Sequence, residues 1–124
     1  MSFTHCRLPA YIESVKFVDW ALHYLKPAFK GSLAPNLADQ LARASTSISL
    51  NIAEGSGRWH KKDKSHFYQI AMGSTSECAA ILELASVCEA VSKDDADVER
   101  AMIHLNQIAA LLVTLMDGVK GRES

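Results

Sequence analysis

Apolar residues recur at three- and four-residue steps over four long stretches of the chain, and no strand-like alternation of comparable strength interrupts them. The first stretch predicts a helix over 10–29, with Tyr11, Val15, Val18, Leu22 and Leu25 as one stripe and Phe17, Trp20 and Tyr24 as an aromatic flank. Pro27 has no backbone N–H, so that helix should end or kink near it. The turn-rich "KGSLAPN" (30–36) follows. A second helix is expected over 35–54, its stripe made by Leu37, Leu41, Ala44, Ile48 and Ile52. Gly55 stands where a left-handed helix cap is wanted. Only Asp39, Arg43 and Glu54 are charged in this stretch; its flanks are Ala, Ser and Thr, which suits packing on more than one side.

The third helix is expected over 62–90, capped by His60 or a neighbour, with Asp63 in its first turn facing the positive helix end. Phe67, Ile70, Ala71, Ser74, Cys78, Ile81, Ala85 and Cys88 share one face. In "VSKDDADVER", Ser92 is the expected cap of a fourth helix over 93–119, with Asp95 in the reciprocal position. Val98, Met102, Leu105, Ile108, Leu112 and Leu115 form its stripe, widened by Leu111 and Val113. Four such helices with short joints predict one all-α domain over 1–124, an antiparallel up-down-up-down four-helix bundle. The apolar surface of the first, second and fourth helices exceeds what a lone bundle hides, so a homo-oligomer is expected.

Composition alters little in this picture. With 124 residues, 48% hydrophobic and 22% charged, the chain matches an ordinary soluble domain. No run approaches the roughly 20 uninterrupted apolar residues of a membrane span, and no leader is apparent at "MSFTHCRLPAYIESVKF". Cys6, Cys78 and Cys88 lack C-x-x-C spacing and read as reduced thiols of a cytoplasmic protein. Charge is more telling. The net charge is −1, but residues 1–66 carry +4 and residues 67–124 carry −5, a polarity able to steer a partner.

The basic half culminates in "NIAEGSGRWHKKDK" (51–64). A Walker loop would need a second glycine where His60 stands, and a strand where a helix is expected, so a phosphate-cradling loop is excluded. Arg58, Lys61, Lys62 and Lys64 nevertheless surround Trp59. Cations beside a ring that can stack on a base are a means of holding RNA or single-stranded nucleic acid. The same residues also fit a solvated loop tip or a protein contact.

Other chemistry finds less support. Glu13, Glu54, Glu77 and Glu99 place one carboxylate on each helix, but no Glu-x-x-His pair accompanies them, so no metal or cofactor is expected. No Cys or Ser sits in a pattern with a base that marks a nucleophile, and no enzyme is expected. Arg43 and Glu54 lie within about 20° of one helix stripe. With Asn51 nearby and Glu77 on the next helix, they are expected to form a polar lattice joining the second and third helices or joining protomers.

Two segments carry a resemblance. "QLARASTSISLNIAEGSGR" (40–58) and "FYQIAMGSTSE" (67–77) resemble the bacterial four-helix-bundle family named after reading frames in intervening sequences of 23S ribosomal RNA genes. The matching positions are Gln40-Leu41, Arg43-Ala44, Ser47-Ile48, Asn51 through Gly55, Arg58, Ile70-Ala71-Met72, Gly73-Ser74 and Glu77. The resemblance implies a ring assembly, a pentamer, and a distant kinship with the accessory proteins of diversity-generating retroelements, which bind nucleic acid and a reverse transcriptase. Lys64 replaces the family's usual Phe, making the tip more basic, and His60 replaces a common Ser. The reading that results is a scaffold contacting RNA or a ribonucleoprotein. The alternative is an adaptor displaying an oligomeric surface to a partner enzyme such as a reverse transcriptase.

Overall fold

The computed structural model describes residues 3–92 and 94–121. All regular elements among them are helical. A 3-10 turn (Thr4–Arg7) leads into α1 (Pro9–Trp20), followed by α2 (Ala34–Ser56), α3 (Lys61–Val87) and α4 (Ala96–Gly121). They form a four-helix bundle around one contiguous core in which Phe17, Leu41, Ile48, Ile52, Leu82, Ile108 and Leu112 are fully enclosed.

The α2 stripe is buried at all five of its expected positions. On α1 the core face is instead rotated by one residue, about 100°. Ala10, Ser14, Phe17, Ala21 and Leu25 are buried, whereas Val15 is exposed and Tyr11, Val18 and Leu22 are only half-buried. Small Ala10, Ser14 and Ala21 let the helix come close to α2, with Phe17 and Leu25 as the large insertions. Ser14 belongs in this interior because its hydroxyl is satisfied twice, by Tyr11 O at 2.7 Å and by Ser49 Oγ of α2 at 2.8 Å, as a buried polar group must be.

The end of α1 widens rather than breaks. A π turn spans Ala21–Leu25, closed by Lys26 N–H on Ala21 O, and a 3-10 turn carries the chain through Lys26–Ala28. Pro27 lacks the N–H that an α-register would aim at residue 23, and its ring would collide with that carbonyl; the wider turn relieves both problems. The α1–α2 joint turns at Gly31 (φ +96°), and Lys30 N–H donates to Ala90 O at 2.8 Å, tying this joint to the α3–α4 joint.

Gly55 is not the cap of α2. It is helical and buried, and a Cβ there would lie 2.6 Å from the ring of Tyr68 and 3.2 Å from Lys64 O. Its role is to let α3 approach. Gly57 ends the helix with an ordinary φ of −84°, its N–H shared between Ala53 O and Glu54 O. Ser92 is not the cap of α4 either. Asp95 Oδ1 accepts from the N–H groups of Asp97 (2.8 Å) and Val98 (3.3 Å), and the helix starts at Ala96 rather than 93. That is the usual work of an N-cap carboxylate. A turn closed by Asp95 N–H on Ser92 O moves the boundary three residues on.

α3 ends at Val87 in a Schellman arrangement, in which Ala90 N–H bonds Ala85 O and Glu89 N–H bonds Ser86 O. Glu89 takes the left-handed position with φ of 59°, one that normally favours glycine. The helices α3 and α4 are each long and apolar enough by composition to cross a membrane. In the bundle, the buried face of each contributes to the core.

Candidate nucleic-acid interface

The joint between α2 and α3 brings the five basic-tip residues to one end of the bundle, but in different states. Trp59 is 94% exposed, an indole with essentially no packing of its own. Lys62 beside it is exposed, and Lys61, which opens α3, is half-buried. Arg58 and Lys64 bond back to the end of α2. Arg58 Nη2 donates to Glu54 Oε1 at 2.6 Å, one turn back, while its guanidinium lies 4.7 Å from the centre of the Phe67 ring, within cation–π range. Lys64 Nζ donates to Ser56 O at 3.0 Å and Gly55 O at 3.3 Å. This sets a positive charge at the negative end of α2. His60 holds the extended position before α3 (φ −86°, ψ 136°) without a side-chain cap bond. His66 meets Phe67 edge-on at 5.5 Å. At the tip, therefore, Arg58 and Lys64 are bonded back to α2, and Trp59 and Lys62 are exposed.

The four residues expected to form a polar lattice do not join within the chain. Arg43 pairs with Asp39 at 3.1 Å on the exposed side of α2, Glu54 pairs with Arg58, and Glu77 has no ion-pair partner among the described residues. Asn51 Nδ2 donates to Ser47 O (2.8 Å) and Ser47 Oγ (3.0 Å). The link to α3 comes from residues outside the expected lattice, both among the positions that carry the family resemblance: Ser47 Oγ and Ser74 Oγ are 2.8 Å apart. Short hydroxyls bridge closely packed helices where long charged side chains cannot fit, so Arg43 and Glu77 point outward.

The four carboxylates, one from each helix, do not converge. Glu54, Glu77 and Glu99 are exposed and Glu13 is half-buried. Among the described residues no three His, Cys, Asp or Glu side chains could share a metal ion. Glu13 is held below the ordinary carboxylate range, chiefly by its bond from Lys16, against a smaller opposing effect of burial. His23 sits against Asp19, with Nδ1 at 2.8 Å from the backbone oxygen and 3.0 Å from Oδ1. Burial pushes the Cys78 thiol up to about 12, so it is unreactive. Cys6 and Cys88 are exposed free thiols.

The family described as 23S rRNA-intervening sequence protein matches residues 7–114. No curated protein matches. A solved protein of unknown function from the S23 ribosomal protein family of Bacteroides thetaiotaomicron VPI-5482 superposes with a TM-score of 0.72. It is 21% identical over 86% of this chain and 97% of its own, a likeness of fold.

Proposed function

This chain belongs to the 23S rRNA-intervening sequence protein family, and from that premise we propose a non-enzymatic cytoplasmic scaffold. In this reading, up-down-up-down bundles assemble as a homo-oligomer, a pentamer, that offers the α2–α3 tip to RNA or a ribonucleoprotein. The observation that carries it is Trp59, which is 94% exposed in the joint just before α3, where Lys62 is also exposed. An indole in water has no use in the core of its own chain, and its face suits a splayed base. Lys61 and Lys62 neutralise phosphates. Arg58 adds a charge when Glu54 releases it, and Lys64 acts by holding the tip in shape.

Self-association is supported by the outer surfaces of α2 and α3. Leu50 is 68% exposed, Leu84 52% and Val87 75%. Arg43 and Glu77, opposite in sign and both outward-facing, supply complementary charge for a lattice with Asn51 and Glu54 between copies. Light scattering at micromolar concentration should give a multiple of the 13.6 kDa chain, and Arg43→Ala should shrink it. A single-protomer mass for the unaltered protein would overturn this part.

The adaptor reading, display of the oligomer to a partner enzyme such as a reverse transcriptase, is favoured by Ile103 and Val113, which are exposed on α4 rather than on the α2 and α3 surfaces assigned to self-association. Pull-down with and without nuclease separates the two. A partner lost with the RNA supports the scaffold, and one retained supports the adaptor.

A further inference from the structure

At the opposite side of the bundle from the α2–α3 pair, α1 and α4 leave an open groove of about 280 Å³ lined by Lys16, Trp20, Arg100 and His104. Lys16 and Arg100 stand at its rim, each paired with a carboxylate of its own helix. Between Lys64 and Lys120 the sequence holds only Lys93 and Arg100 as Lys or Arg, and Arg100 lines this groove. The aromatic part is fixed from below. Phe17, fully buried, lies 6.4 Å from the Trp20 ring and 5.7 Å, edge-on, from His104.

The counter-charges stand outside the lining. Glu13 bonds Lys16 at 2.9 Å and Asp97 pairs with Arg100, each one turn along the same helix. Such exposed pairs are weak and exchange readily for a more highly charged partner. His104 Nε2 is buried 3.3 Å from Glu13 Oε1, across the α1–α4 seam, without an aligned hydrogen bond.

We infer that this groove binds a nucleotide, with the base stacked on Trp20 and the phosphate held between Lys16 and Arg100. Two cations from two helices suit a phosphate, whose several oxygens can be shared between an ammonium and a guanidinium fork. The ligand is a free mononucleotide or the 5′-phosphorylated end of a strand, which present the same base and phosphate. The inference stands apart from the tip, which lies on another joint and uses other residues.

Trp59→Phe leaves Trp20 as the sole indole and a direct reporter. In that background, AMP and UMP should change Trp20 fluorescence saturably, while adenosine and inorganic phosphate bind far more weakly. Arg100→Ala, at an exposed position, should weaken AMP binding about tenfold, and Lys62→Ala should leave it unchanged. A 5′-phosphorylated oligoribonucleotide that outcompetes its unphosphorylated form and AMP identifies a strand end, and the reverse order a free nucleotide; either supports the site. No saturable change up to about 10 mM AMP, phosphate binding as tightly as AMP, or affinity that is indifferent to Arg100→Ala but falls with Lys62→Ala would overturn it.

Discussion

The two ends of α3 both join it to a neighbouring helix, and they do so by opposite means. At the start of α3, side chains do the holding: Gly55 admits the Tyr68 ring, Lys64 takes the last carbonyls of α2, and Arg58 lies over Phe67. At its end, the backbone does it. A Schellman turn forces Glu89 into a left-handed conformation, and Ala90 O is bonded by Lys30 from the other joint. The difference shows where apparent function must be discounted. A basic loop looks uniformly available in sequence, yet part of its charge maintains the turn, and what remains on display is narrower and better defined.

That contrast can be broken at several points. The largest effect is expected at the close approach. Gly55→Val drives a branched side chain into the buried Tyr68 ring and should lower stability by about 2–3 kcal/mol, roughly 10 °C in melting temperature. Thermal unfolding checks it, and an unchanged midpoint would mean that the two helices can separate freely at this level. Next comes the division among the lysines. Lys64→Ala removes the bonds to Ser56 O and Gly55 O and should destabilise by about 1 kcal/mol, while Lys62→Ala should stay within about 0.5 kcal/mol of the parent in urea unfolding.

At the other end of α3 the sign reverses. Glu89→Gly relieves the left-handed strain and should stabilise by about 0.5–1 kcal/mol, less whatever the greater freedom of the unfolded chain takes back. Equal midpoints for parent and variant would show that the turn is not strained. The smallest effect concerns Glu13. Its pKa is lowered in the folded chain from an ordinary 4.5, so its stabilisation is present above that value and fades as pH falls through the depressed one. Parent and Glu13→Gln should therefore differ in melting temperature at pH 6 and converge in stronger acid; a gap that widens on acidification would contradict the sign.

Much of the architecture was legible because large apolar residues at helical spacing leave few choices. Leu37, Leu41, Ile48 and Ile52 had only one way to face inward. Where packing depends on smallness, hydropathy misleads. Ser14 is polar on any scale, yet it is a core residue of α1 because Ser49 meets it, and this rotates the helix away from Val15. Gly55 looked like a cap because glycine commonly supplies left-handed backbone; here it supplies space. Asp95 displaced Ser92 because a preceding turn, invisible to pattern reading, set the helix boundary. At the tip, the residue types were legible and their engagement was not. The partner of Lys64 is a pair of backbone carbonyls, which no side-chain pattern records. The α1–α4 groove escaped for a similar reason: Lys16, Trp20, Arg100 and His104 come together only once both helices are in place.

The most direct test of the division between holding and displaying is fluorescence polarisation of a labelled single-stranded oligoribonucleotide at two salt concentrations, with two double variants. Affinity of the parent should fall steeply between about 50 and 200 mM salt. Trp59→Ala/Lys62→Ala should bind at least about tenfold more weakly while melting like the parent. Arg58→Ala/Lys64→Ala should melt lower and lose less binding. Affinity that ignores salt, or that survives the loss of Trp59 and Lys62 intact, would contradict the account.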